Sequence, residues 1–582
     1  MSGHRAKKVQ QVYSEGFLRE LEKEQTKWEI GRVAPSLKAK PELKDRFMTG
    51  SGEFEVKRLY TPADLSGQDY ITEVGFSGQY PFTRGIYETG MRAREWKRMF
   101  YVGFGSAENA NERARALVKA GADYIHVAMD LPTQIGLDSD HPMALGEVGK
   151  AGVALDTLED LERYFEDIPL GEVSSGTVGN CISPWVLAMF YALLEKRGID
   201  PAKVMIKIQN DPIKEFSGRG TQIFPLDVSI DLATDVIAFC IKHLPLWTPH
   251  WSCTTTMRWG GCNATQEVAF GIADLLTFVE AAKKKGVPPE LMIPKVELKM
   301  STDNDLFEEV SKFRATRRLW AKICRERLQT EDPRVLALRL ATFQTATRLT
   351  AQQPMNNIIR TAIHVLAAIL GGVYDRIDTA GYDEALALPT FESTWLSNLT
   401  KNILIDEHMV GNTIDPLGGS YYVETLTNQI EEKAFEYFKK IEEMGGAVTC
   451  IKKGVYLQEM AKGMYQQQQE IERGERIVIG VNKFQLEEEE EPETKIFYPD
   501  PQAEKRQIER LRGVKARRNN EAVSQCLVRI KEVAEKKASG QDENIVPSMI
   551  DAVKAYASIG EIFDVLREIF GEFSPEASFW AK

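Results

Sequence analysis

An α/β fold, a TIM (β/α)8 barrel with an N-terminal arm and a C-terminal helical region, is what this sequence predicts. Two observations carry the prediction. Between about residues 120 and 400, seven short β-type runs alternate with amphipathic stretches of helix length, the pattern of a parallel β/α system. No GxGxxG follows the first run, so a closed barrel with one strand still to be found is favoured over an open doubly wound sheet.

Taken in chain order, residues 10–30 set Val12, Phe17, Leu18, Leu21 and Trp28 among charges at helical spacing, and a basic segment around Pro35 and Pro41 reads as an extended arm. The strand candidates are YIHVAMDL (124–131), EVSSGTVGN (172–180), VMIKIQND (204–211), HWSCTTTM (250–257), LMIPKVELKM (291–300), LRLATFQT (338–345) and VYDRIDT (373–379). Barrel interiors are usually filled by bulky branched residues. Here Ser174, Ser175, Thr177, Ser252, Thr254, Thr255, Thr256, Thr342, Gln344 and Thr345 put small polar groups on both strand faces. Pointing inward, they would leave a hydrated bore for a slender polar ligand; at strand ends they would be ordinary loop contacts. After residue 421 the pattern turns helical, passes a glutamine run (466–469) and an acidic run (487–491) closed by Pro492, and ends in amphipathic stretches at 506–537 and 547–570 that read as a cap. The expected division is 1–80 for the N-terminal helix and arm, 81–425 for the barrel and 426–582 for the helical cap.

Composition narrows the function. With 582 residues, 43% hydrophobic and 27% charged, the chain can bury a large core, and a net charge of −12 argues against a general nucleic-acid binder while leaving room for a local basic groove. No apolar h-region opens the sequence and no apolar stretch is long enough for a membrane span, so neither secretion nor membrane insertion is expected. Seven scattered cysteines without a CxxC fit a reducing cytoplasm. There is no GxSxG, HExxH or P-loop, and the seven histidines show no metal-ligand spacing, so no metal site is expected in this chain. The DxHxxG form of some corrinoid-binding domains occurs at 406–411, but Gly418-Gly419 follows almost at once and helical sequence after that, so His408 is not expected to ligate cobalt.

Several collinear motifs carry a family signature: YPFTRGIY (80–87), Trp96, Gly103-Phe104, DSDHP (138–142), VGKAGV (148–153), IQND (208–211) with KEF (214–216), LTAQ (349–352), RTAI (360–363), DEALALPT (383–390), DPLGGSYYVE (415–424) and IGVNK (479–483). Over residues 75–570 the chain resembles the methylmalonyl-CoA mutase large-subunit family. The resemblance implies a TIM barrel whose bore receives the pantetheine arm of an acyl-CoA, with adenosylcobalamin at the barrel mouth supplying a radical for carbon-skeleton rearrangement. It further implies that no cobalamin-binding Rossmann-like domain lies in this chain, that a small partner subunit brings the cobalt ligand, and that a G-protein chaperone is a further partner.

Residue by residue, Tyr101 matches the family tyrosine near cofactor and substrate. Arg219 matches the arginine that pairs with the free carboxylate of methylmalonyl-CoA, a role for which a planar guanidinium is suited. The resemblance makes Gln209 a substrate-side donor, sets Glu384 near the adenosyl ribose, and turns Leu131 and Gln134 toward the corrin. In the CoA-contacting segment Thr89 and Arg94 persist. The departures are a tyrosine–histidine pair replaced by Thr255-Thr256 on the fourth of the seven strands, a glutamate by Trp259, a histidine by Ala341 and a glutamine by Phe343. Two small side chains in place of a phenol and an imidazole predict a pocket for a bulkier acyl group, such as a substituted succinyl- or malonyl-type CoA thioester. Methylmalonyl-CoA itself, an uncarboxylated acyl-CoA, and a catalytically silent assembly subunit are the alternatives.

Overall fold

The computed structural model describes residues 13–574 except 43, 94–96, 98, 488–493 and 499. Eight strands run parallel: β1 (Met99–Val102), β2 (Tyr124–Val127), β3 (Ser174–Val178), β4 (Ile206–Gln209), β5 (His250–Cys253), β6 (Val296–Thr302), β7 (Leu340–Gln344) and β8 (Arg376–Asp378). They form two four-stranded sheets, β1 to β4 and β5 to β8, in sequence order. Thr248, just before β5, joins the two sheets: its N–H donates to Ile206 O at 2.9 Å and its carbonyl accepts from Ile208 N at 3.0 Å. At the other edge β8 lies beside β1, which brings the eight strands round in barrel order.

All seven strand candidates are present, and β1 is the strand the sequence left to be found. The strands are shorter than the runs, and two of the boundaries change how the neighbouring residues are placed. The β5 strand ends at Cys253, and Thr255-Thr256 open a short helix, Thr255–Trp259, instead of continuing it. In the 291–300 run, Pro289 and Pro294 hold the chain in helical turns until Lys295, and the strand begins only at Val296. At the N-terminus the helix Glu15–Trp28 does not give way to an arm at Pro35. Proline is tolerated in a first turn, and the chain stays helical through Ala39.

Apolar burial lies between strands and helices. Phe100, Val102, Ile125, Val127, Ile206 and Ile208 pack outward into one cluster with helix Ser183–Lys196, and Leu298, Met300, Leu340 and Ile377 into a second with helices Ala264–Lys284 and Leu306–Leu328. The C-terminal stretches are each broken in two, as helices Ala503–Arg517 and Asn520–Ala538, then Val546–Lys554 and Ile559–Phe570. Met549, Val553, Phe563 and Leu566 join the first cluster, so the cap is bound to the barrel by shared core.

The interior overturns the expected polar bore. Strand alternation turns Ser175, Thr177 and Thr342 away from the axis, where their hydroxyls donate to Ile125 O, Val127 O and Met300 O. The inward positions carry large and charged groups. Lys207 on β4 pairs with Glu297 on β6 at 2.7 Å, Lys299 on β6 with Asp378 on β8 at 2.6 Å, and the Arg376 guanidinium on β8 lies 4.4 Å from the Trp251 ring centroid on β5. His126 on β2 reaches Trp251 across the axis, with ring centroids 5.9 Å apart. Contacts between strands that are not neighbours fill the space the bore would occupy.

Candidate functional site

Above this packed layer, at the C-terminal ends of the strands, a cavity of about 360 Å³ opens. Active sites of such barrels lie at this face. Tyr101, Gln134, Gln209, Arg219, Thr255, Thr256, Phe343 and Glu384 all line it, so eight residues chosen from the sequence meet in one place. Leu131 begins the helical turn that carries Gln134 and is partly exposed outside the lining. Thr89 does not line it: its neighbour Gly90 packs against Tyr374, ahead of β8, toward the opposite end of the barrel. Arg94 and Trp96 lie outside the described residues.

Local sequence accounts for each placement. After Gln209, Asp211 accepts from Lys214 N at 3.3 Å and from Cys253 N at 2.7 Å, tying the end of β4 to that of β5. The chain then runs through a single wide turn, Glu215–Arg219, that closes on Gly220 at φ 95°, a conformation glycine adopts without strain. Arg219 Nη1 donates to Glu215 Oε1 at 3.3 Å, and Glu215 is fully buried. Burial works against the Arg219 charge, but Glu215 outweighs it and holds the guanidinium above its ordinary pKa. The helix Thr255–Trp259 is bolted from behind by buried Arg258, which donates to Cys262 O at 2.8 Å and Glu309 Oε1 at 3.2 Å. Thr255, Thr256 and Trp259 are thereby left on the cavity side.

Buried polar atoms without a protein partner surround the space: Gln209 Nε2, Thr256 Oγ1, Trp259 Nε1 and Gln134 Oε1. Native interiors rarely leave such atoms unmatched, so together they mark a surface made for a ligand. The lining carries five cationic side chains, Arg113, Lys214, Arg219, Lys299 and Lys401, against the carboxyls of Asp378 and Glu384, which makes the cavity attractive to anions despite the acidic chain. Burial, then the nearby Asp383, pushes the Glu384 carboxyl up to about 7, and burial brings the Lys401 ammonium down to about 8.

Tyr101 stacks on His126 with centroids 4.9 Å apart. The phenol is 48% exposed, its open side belonging to the cavity, and the surrounding protein raises its pKa. His126 is held well below its ordinary pKa by burial and then by the Arg376 and Lys299 charges, so it is a neutral imidazole. Phe343 meets Trp259 edge-on at 5.5 Å and lies under Lys299 Nζ at 5.1 Å, making an apolar wall. Sequence reading missed Lys214, Lys299, Asp378 and His126. For Lys299 and Asp378 a charge at period-two spacing inside a parallel strand was the available signal, since such strands normally carry apolar runs.

His408 sits after the helical turn Ile403–Glu407, exposed, with Nδ1 3.1 Å from Ile403 O, and the last strand ends thirty residues earlier at Asp378. Among the described residues no cluster of three or more His, Cys, Asp or Glu could hold a metal ion, and no helix is long and apolar enough to cross a membrane.

Comparison with known proteins supplies the family. The family model for methylmalonyl-CoA mutase matches residues 49–572. The 2-hydroxyisobutanoyl-CoA mutase large subunit of Aquincola tertiaricarbonis is 38% identical over 555 residues, 95% of this chain and 97% of that one. Mouse mitochondrial methylmalonyl-CoA mutase is 36% identical over 518 residues, 89% of this chain and 68% of that one, and the Rhizobium meliloti enzyme is 35% identical over 521 residues, 89% and 72%. A family model covering most of the chain, and relatives matched along most of their own length, make this protein an isomerase of the methylmalonyl-CoA mutase family.

Proposed function

We propose that this chain is the substrate-binding large subunit of an adenosylcobalamin-dependent acyl-CoA mutase, acting on a carboxylated acyl group held at the C-terminal mouth of the barrel. The observation that carries the reading is Arg219. It lines the cavity, and its hydrogen bond to Glu215 engages only Nη1, so Nε and Nη2 remain as donors for a carboxylate. Gln209 Nε2 and Thr256 Oγ1, both without protein partners, are the donors for the acyl carbonyl.

The mouth suits the cofactor. Gln134 Oε1 and Asn398 Oδ1 are buried acceptors without partners there, matched to the amide N–H groups that fringe a corrin, and Glu384 is available to a ribose hydroxyl. When bound, adenosylcobalamin supplies the carbon-centred radical on which a skeletal rearrangement depends. The chain's own residues bind and shield. Arg219 anchors the far end of the substrate, Phe343 and Trp259 exclude water from the reacting carbons, and neutral Tyr101, braced on His126, limits their movement. The cobalt ligand is assigned to a small partner subunit, as the words "large subunit" in the Aquincola relative's name suggest, with a G-protein chaperone as a further partner. That same name favours a second reading, an uncarboxylated hydroxyacyl substrate, which would leave the Arg219 donors without their carboxylate. An assembly subunit without activity is the third.

Two tests follow from the lining. Thr255 and Thr256 open a helix and do not lie on a strand, yet they still face the cavity, so their small size enlarges it. Reconstituted native chain is expected to favour an alkyl-substituted succinyl-CoA over methylmalonyl-CoA by about 1–3 kcal/mol per added methylene, and a Thr255→Tyr, Thr256→His variant to reject the bulkier ester first. Native preference for methylmalonyl-CoA, improved by the variant, would remove the large-pocket reading.

The second test is pH. The folded chain keeps the Glu384 proton up to about pH 7, against an ordinary value of 4.5, so stability associated with that proton is lost as pH rises through this window. Over the same range the cavity gains a negative charge, and it loses one positive charge as Lys401 titrates near 8. Methylmalonyl-CoA binding, followed by calorimetry, is therefore expected to weaken severalfold from pH 6 to pH 8, and Glu384→Gln to flatten the lower half of the profile. A pH-independent affinity would contradict this.

A further inference from the structure

We infer that the axis of this barrel is sealed, and that the site takes a short carboxylated acyl group through the C-terminal mouth with no arm threaded down the bore. The inference rests on the reading of the mouth as the acyl site and adds the shape of what fits there.

The seal is built from six inward side chains. His126 and Trp251 touch across the axis, Arg376 lies over the Trp251 ring, and Glu297 accepts from Lys207 beneath them. Tyr124 lies over Gly176, where an added Cβ would come within 2.5 Å of its hydroxyl, so a small residue on β3 makes room for a large one on β2. Apart from Lys207, at 7%, these six are no more than 3% exposed. The closure continues toward the N-terminal end, where Arg339 pairs with Glu297 at 2.9 Å and approaches Asp375 at 3.5 Å, and Tyr87 donates to Asp375.

A plug of this kind differs from a narrow pore. Ion pairs hold it shut: Lys207 and Arg339 share Glu297, and Arg376 faces Asp378 at 3.4 Å and Glu297 at 3.9 Å, so opening it would separate buried opposite charges in a region of low dielectric. A pantetheine arm is thin but needs a continuous channel, and this layer leaves none. The cavity above it is about 360 Å³, room for a short acyl group. That group arrives either as a free acid or as a thioester whose arm passes out over the rim.

Calorimetric titration of the full-length chain separates these cases, using methylmalonate and its thioesters with N-acetylcysteamine, pantetheine and CoA. The expected result is that the three thioesters bind within about threefold of one another, since an arm outside the barrel adds few contacts. Free acid in the same range identifies the acid as the ligand; thioesters about tenfold tighter than the acid identify an arm over the rim. A triple variant, Lys207→Thr, Trp251→Ser and Glu297→Ser, is expected to gain about tenfold for the pantetheine and CoA thioesters alone. Native chain binding the pantetheine thioester about tenfold more tightly than the N-acetylcysteamine one would overturn the seal, and needs no variant to be read. Arg219→Ala keeps the two readings apart: thioester affinities insensitive to it would end the carboxylate assignment and leave the sealed axis standing.

Discussion

Replacing Glu297 with alanine is expected to destabilise the fold by about 3–5 kcal/mol, read as a lowered midpoint in urea unfolding, because it strands buried cations in the barrel interior. Glu297 is fully buried and faces Lys207 at 2.7 Å, Arg339 at 2.9 Å and Arg376 at 3.9 Å. Burial alone would raise its pKa, but these three charges hold the carboxyl far below its ordinary value. Stability from this ionisation is therefore present above the ordinary carboxyl pKa near 4.5 and is lost as pH falls below it. Removing Lys207 together with Glu297, both as methionine, is expected to cost less than Glu297→Ala alone. Arg339 keeps Asp375, and Arg376 keeps Asp378, which it shares with Lys299, so each remaining cation still faces a carboxylate. Equal losses for the single and double variants would mean that packing, and not charge pairing, holds the layer together.

Arg219→Ala is expected to lower kcat/KM for a carboxylated acyl substrate by about 2–4 kcal/mol, since a desolvated charge pair is lost and the reacting carbons lose their remote anchor. Both KM and kcat should suffer, because the anchor positions as well as binds. Glu215 would keep its hydrogen bonds from Thr221, at 2.5 and 3.3 Å, so the wide turn that carries position 219 should survive the change. An unchanged kcat/KM would identify Arg219 as a structural ion pair only.

How much of this was legible in the sequence depends on what each residue had to signal. The parallel strands announced themselves through short β-type runs between helix-length segments; Met99–Val102 did not, because four residues after a charged segment offer too little pattern. Thr255 and Thr256 were read into the strand since β-branched residues favour one, whereas Arg258, buried among Glu267, Glu309 and Asp303, fixes a helix there by contacts distant in sequence. Gathering Tyr101, Gln209, Arg219, Phe343 and Glu384 into one cavity required the family motifs, as the residues are spread over nearly 300 positions. The polar bore failed for a more general reason. Serine and threonine in a strand can turn outward and satisfy neighbouring carbonyls, as Ser175 and Thr177 do, so composition alone does not reveal which face they take. The charges in KIQ, VELK and RID held the better clue, because a charge inside a barrel strand must find its partner across the axis.

One measurement bears most directly on the proposed activity: kcat/KM for methylmalonyl-CoA relative to 2-hydroxyisobutyryl-CoA, in full-length chain reconstituted with a cobalamin-binding small subunit and adenosylcobalamin, before and after Arg219→Ala. The expected result is turnover that needs the partner, favours the carboxylated substrate by about tenfold or more, and loses that preference in the variant. Turnover that favours the uncarboxylated substrate and is indifferent to Arg219, or no turnover of either, would contradict a carboxylate-anchored mutase.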